Sequence, residues 1–257
     1  MKHYFVEGKT LPEAYHKALV TLNEKGEEVQ CAAYNTYTKE CGMTMFVEEA
    51  LAEPMISRCW IGGHHELQQY VMEICDGILD FMIGADDNVW EYTYHDRIKD
   101  QIPFVLEELK CDKDSRRAVI DVRKNSVDMF NDHPACLQHM HFLYRDNKLD
   151  LRVLMRSNDA PEATFMNSFG FIMFQKSIAD KLNVDVGSYM LTANSFHAYE
   201  KNFNNLDDFC NRIKSGENTT YNYSGFYDML MKEEIPAINK MVQDQYEKYY
   251  NKEGNVK

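Results

Sequence analysis

No stretch of this 257-residue chain approaches the roughly 20 consecutive apolar residues of a membrane span, and none follows the basic residue at its start. Its seven cysteines (31, 41, 59, 75, 111, 136 and 210) are odd in number, form no C-x-x-C pair and take no metal-ligand spacing with histidine. A disulfide framework and a metal site are therefore not indicated, and a reducing cytoplasmic setting is expected. Positive charge is scarce: 28 Lys and Arg stand against 41 Asp and Glu, for a formal charge of −13. Such a chain repels nucleic-acid backbones and anionic lipid, so neither partner is expected, and any phosphate must be gripped locally. Internal repeats, low-complexity tracts and linkers are also lacking.

What is present is core material. With 44% hydrophobic and 12% aromatic residues, the chain has enough apolar surface for one large domain spanning 1–257. Its fifteen methionines and fourteen phenylalanines read as packing. Leu11, Ala14, Leu19 and Leu22 predict a helix over 11–25, with Pro12 in its first turn. A second amphipathic helix is predicted over 66–81, after Gly62-Gly63. Residues 88–98 read as a loop or irregular strand, 102–109 as helix and 118–122 as strand. A hairpin is predicted from 140–144 through a turn at 145–148 to 149–155. Residues 165–182 read as a buried helix, 187–199 as strand and the segment from Tyr223 as helix, with 251–257 frayed. The class is α+β.

One cysteine has informative neighbours. Cys136 lies in Asn131-Asp132-His133-Pro134-Ala135-Cys136-Leu137-Gln138, followed by Arg156-Ser157-Asn158-Asp159 and then Asn167. A thiol, a fixed cation and an amide able to read a base are the parts needed to attack a pyrimidine nucleotide. A thiolate added at carbon 6 of the ring makes carbon 5 nucleophilic toward a one-carbon electrophile. Because a free thiol ionises near pH 8.5, a nearby cation favours the reactive form.

These segments, together with Gly62-Gly63-His64-His65-Glu66-Leu67, Tyr92-Thr93-Tyr94-His95-Asp96-Arg97, Asp114-Ser115-Arg116-Arg117 and His197-Ala198-Tyr199, occur in an order that resembles the thymidylate synthase superfamily over Pro54 to Phe203. The resemblance implies a mixed β-sheet packed with helices, with one sheet face forming a homodimer interface. Residues 1–53 are the divergent part of that domain. It also implies a pyrimidine nucleoside monophosphate as substrate, 5,10-methylenetetrahydrofolate as co-substrate and no metal. Carried over residue by residue, Cys136 is the nucleophile, Glu66 moves protons through water, and Tyr94 belongs to the active-site tyrosine segment. Arg156 and Ser157 bind the phosphate, with Arg116 and Arg117 reaching it from the neighbouring subunit and Arg58 a candidate for the remaining arginine. Asp159 anchors the pterin, while His197 and Tyr199, at i and i+2 on a strand, face the sugar. Asn167 can donate to a uracil carbonyl and accept from the ring N–H, which favours dUMP over cytosine nucleotides.

Two departures, at His133 and at the C-terminus, pull toward a hydroxymethylase, in which water instead of hydride quenches the methylene group on carbon 5, and a third, at Gly170, bears on the sugar. His133 stands where synthases commonly place an apolar residue, and a polar side chain there can hold water at the folate side of the site. The terminal residues 251–257 lack the apolar end that closes over the folate. Gly170 replaces a serine, leaving either room for a ribose hydroxyl or close helix packing. Leu137 also stands where the family has histidine. A synthase acting on dUMP is the leading expectation, a dUMP or CMP/dCMP hydroxymethylase the alternative, and a non-catalytic nucleotide-binding relative the third.

Overall fold

The computed structural model describes residues 1–85 and 90–250. In chain order the elements are β1 (His3–Gly8), α1 (Leu11–Lys25), β2 (Glu27–Cys31), β3 (Thr36–Val47), β4 (Ile56–Ser57), α2 (His64–Asp76), α3 (Tyr94–Ile98), α4 (Ile102–Cys111), β5 (Val119–Asp121), α5 (Asn125–Asp128), β6 (Leu137–Arg145), β7 (Lys148–Asp159), α6 (Phe165–Leu182), β8 (Asp185–Tyr199), α7 (Phe203–Lys214), β9 (Thr220–Tyr221) and α8 (Asp228–Tyr250).

Alternation in β7 shows how the sheet is built. Leu149, Leu151, Val153 and Met155 are buried, whereas Asp150, Arg152 and Leu154 between them are only half-buried. The apolar side lies against α6, whose Phe165, Phe169, Phe171 and Phe174 are fully enclosed; each such ring contributes roughly 1.5–3 kcal/mol on leaving water. On the other side Arg152 donates to Ser188 Oγ at 2.9 Å and lies over the Phe46 ring at 5.5 Å. Strand order is β1-β3-β8-β7-β6-β5, with β2 also paired to β3. β1/β3 and β7/β8 are parallel and the remaining pairs antiparallel, so the sheet is mixed and the class α+β, as expected.

The helix over 11–25 forms with those bounds, capped by Thr10 Oγ1 accepting from the Glu13 N–H, and the helix over 165–182 is likewise found. The hairpin also forms, on longer strands than expected. Its turn is closed by Asp146 and Asn147 at φ +50° and +62°, a left-handed pair that Asp and Asn tolerate. Three expectations are corrected. The second helix begins at His64 and ends at Asp76, because the Glu66 carboxylate reaches back to the Gly63 N–H and Gly77 takes a left-handed φ of +65°. Within 90–98 a short helix, α3, stands in place of a loop or strand, started by Thr93 Oγ1 accepting from the Asp96 N–H at 3.0 Å. The segment from Tyr223 opens with a kinked turn at Ser224 and Gly225 before α8 begins.

Strands β1 to β3 had no counterpart in the sequence reading. They complete one side of the sheet, β3 pairing with β8 over Thr38 to Val47. Asn88, Val89 and the terminal segment 251–257, for which fraying and the lack of an apolar end were read from the sequence, lie outside the described residues.

Candidate active site

Cys136 precedes the first residue of β6 and is half-buried. Its carbonyl accepts from the Arg156 N–H at 2.8 Å across the β6/β7 ladder. The Arg156 guanidinium turns to the same loop, Nε donating to the Ala135 carbonyl at 3.1 Å and Nη2 to the Pro134 carbonyl at 2.7 Å. This fixes a permanent cation against the backbone that carries the thiol. On the other side, Tyr94 Oη, brought in by α3, accepts from the Leu137 N–H at 3.3 Å. Burial raises the Tyr94 phenol far above its usual range and the Tyr92 phenol to about 12, with the Cys136 sulfur adding to both. Both tyrosines stay neutral, and their rings lie 5.9 Å apart.

The carboxyl ends of β7 and β8 form the facing wall. Parallel pairing sets Ser157 beside Ser195, Asn158 beside Phe196 and Asp159 beside His197. His197 is 7% exposed, its Nδ1 lies 3.3 Å from Ser195 Oγ, and its ring meets that of Tyr199 edge-on at 4.9 Å. Burial lowers the His197 pKa, and the nearby Arg156 charge lowers it further, which favours neutral imidazole. Tyr199 is pushed up to about 12 by burial, then by Tyr34, Cys31, Asp159 and Cys136, so its phenol borders both walls. Asp159 Oδ1 accepts from the Glu162 N–H at 2.9 Å, while Oδ2 is buried with no partner. Burial lifts this carboxyl to about 7. Asn167, on α6, donates Nδ2 to Asn158 Oδ1 at 3.0 Å.

The structure thus brings Cys136, Arg156, Tyr94, Ser157, Asp159, Asn167, His197 and Tyr199 to one end of the sheet. Other candidates are engaged elsewhere. Glu66 is exposed, and its Oε2 accepts from the Gly63 N–H at 2.8 Å, capping its own helix. Arg58 donates to Tyr221 Oη at 3.1 Å beside a cleft of about 340 Å³ that Arg212 also lines. Arg116 and Arg117 are exposed, with Arg117 Nη2 paired to Glu108 Oε1 at 2.8 Å. His133 is exposed on the loop before Cys136, its N–H held by Asn131 Oδ1. Gly170 packs against α2: a Cβ there would lie 2.5 Å from the Tyr70 ring.

Two neighbours escaped the sequence reading as individual residues, Tyr92 and Asn158. Asn158 gave no local signal, since the positions in phase with it on β7 include the polar Asp150, Arg152 and Arg156. Among the described residues no helix is long and apolar enough to cross a membrane, and no cluster of three or more His, Cys, Asp or Glu is placed to hold a metal.

Comparison with known proteins gives the same picture. A Methanocaldococcus jannaschii protein with the curated name "Putative thymidylate synthase" is 28% identical over 203 residues, covering 76% of this chain and 90% of the relative. A deoxyuridylate hydroxymethyltransferase of Bacillus phage SP01 is 32% identical over 165 residues, covering 62% of this chain but only 39% of that longer protein. The solved structure of thermostable thymidylate synthase A from Bacillus subtilis superposes with a TM-score of 0.64 at 16% identity, over 79% of this chain and 84% of that one, which shows a shared fold. The family profile described as thymidylate synthase matches residues 59–233. The chain belongs to the thymidylate synthase family, enzymes that transfer a one-carbon group to carbon 5 of a pyrimidine nucleotide and bind nucleotide and folate.

Proposed function

We propose that this protein is a thymidylate synthase acting on dUMP, with Cys136 as nucleophile. The observation that carries the reading is the Arg156 guanidinium tied to the two carbonyls before Cys136, which sets a cation against the loop that carries the thiol and at the end of the sheet where a phosphate is to be held. Cys136 adds to carbon 6 of the base, and carbon 5 gains electron density. Arg156 and Ser157 hold the 5′-phosphate, and Arg116 and Arg117 complete the grip from a second copy in a homodimer built on the free sheet face. His197 and Tyr199 face the sugar, Asn167 reads the base, and neutral Tyr94 holds the Leu137 N–H and with it the start of β6. Glu66 moves protons through water once released from its helix cap. Arg58 is the weakest member, because its hydrogen bond ties it to Tyr221.

The co-substrate 5,10-methylenetetrahydrofolate supplies the one-carbon unit and, in a synthase, the hydride. Asp159 fits it: a buried carboxylate oxygen without a partner suits the N–H donors of a pterin ring. The residues fit a single domain over 1–257 without a metal, working in the cytoplasm.

The second reading, a dUMP hydroxymethylase, is favoured by the exposed polar His133 and by the resemblance to the phage enzyme. Incubation with dUMP and methylenetetrahydrofolate, following dihydrofolate absorbance and product mass, decides between them. dTMP with dihydrofolate is expected; a hydroxymethyl nucleotide with tetrahydrofolate overturns the synthase reading. Failure of 5-fluoro-dUMP and folate to label Cys136 while nucleotide still binds would leave a binding protein only.

A further inference from the structure

Asn158 and Asn167 form a buried amide pair whose hydrogen bonding is incomplete. Asn158 is 2% exposed and Asn167 6%. Asn167 Nδ2 donates to Asn158 Oδ1 at 3.0 Å, and Asn158 Nδ2 is buried without any partner among the described residues. A buried amide left unpaired costs on the order of 1–3 kcal/mol, so an orphaned donor at the carboxyl end of β7 calls for a reason. Its position supplies one. Asn158 lies between Ser157 and Asp159 on β7, directly under the helix that carries the base-reading amide.

Building on the reading of Asn167 as the base reader, we propose that Asn158 is a specificity-determining positioning residue that sets this enzyme for uracil over cytosine. The bond to Asn158 Oδ1 uses one Asn167 N–H and fixes the amide plane, so the second N–H and Oδ1 keep a set direction. Turning Asn167 alone by 180° would put two amide oxygens face to face. In the held orientation Asn167 offers one donor and one acceptor side by side, which match the carbonyl at carbon 4 and the N–H at position 3 of uracil. Cytosine presents the reverse, an amino donor and an unprotonated ring nitrogen, and meets donor with donor and acceptor with acceptor. The orphaned Asn158 Nδ2 strengthens the bias, since a free donor lowers its cost beside an acceptor such as the uracil carbonyl or a water bound to it.

Calorimetric Kd values for dUMP and dCMP on the full-length protein test this without relying on turnover. Asn158→Ala frees the Asn167 amide, and the dCMP-to-dUMP Kd ratio is expected to fall about tenfold, the worth of one misdirected hydrogen bond. Asn158→Asp keeps an acceptor for Asn167 Nδ2 and is expected to hold the ratio within about threefold of the parent, which a purely structural role does not explain. If both variants fold, by unchanged circular dichroism, and weaken dUMP and dCMP equally, the proposal is overturned. Asn167→Asp separates the two layers of the argument. Reversal of preference in that variant with no change of ratio in Asn158→Ala removes the role of Asn158 alone; no reversal removes base reading by Asn167 as well.

Discussion

The Arg156 N–H donates to the Cys136 carbonyl at 2.8 Å, so the cation and the thiol are held together by the main chain as well as by the guanidinium. Lysine at 156 keeps the charge but cannot meet the Pro134 and Ala135 carbonyls and a phosphate in one plane. Arg156→Lys is expected to lower kcat/KM for dUMP by about 10²-fold and to slow 5-fluoro-dUMP labelling in parallel. Activity within threefold of the parent removes Arg156 from the site.

Asp159 gives a pH signature of defined sign. Its folded pKa, about 7, lies above the ordinary 3.8, so between those values the folded state holds a proton that the unfolded chain has released. Stability therefore falls as pH rises across that window, and the full penalty is present above about pH 7. Asp159→Asn should stabilise the protein by about 1–3 kcal/mol at pH 8 and by nothing at pH 3.5, read from urea unfolding. In the parent, folate affinity should rise between pH 6 and 8 as the carboxylate forms, and the variant should lose that slope.

The paired arginines are tested by mixing. Arg117 is 75% exposed, and among the described residues its guanidinium pairs with Glu108 alone. If it serves a second copy, Arg117→Ala and Cys136→Ala subunits, each nearly inactive, should regain up to about a quarter of parental activity when co-refolded, because one intact site forms per heterodimer. Heterodimers that form, by mass, and stay inactive refute shared sites.

Gly170 answers to packing. With a Cβ 2.5 Å from the buried Tyr70 ring, Gly170→Ser should destabilise the protein by about 1–3 kcal/mol. Preference for deoxyribose over ribose should not move. A change in that preference at unchanged stability would restore the sugar-pocket reading.

The order of motifs around Cys136 was enough to reach the family, because that chemistry demands particular residue types along the chain. Helices 11–25 and 165–182 and the 140–155 hairpin were equally legible, since their periodicity and turn residues are local properties. Which side chains meet was decided by long-range pairing alone. The parallel β7/β8 register, which sets Asp159 beside His197 and buries Asn158 under Asn167, joins segments nearly 40 residues apart and leaves no trace in either segment. Glu66 is the local exception: its carboxylate caps its own helix at the Gly63 N–H, three residues back. Local sequence specifies elements and chemical parts, whereas burial, which sets the pKa of Asp159 and the cost of an unpaired amide at Asn158, exists only once distant strands close over them.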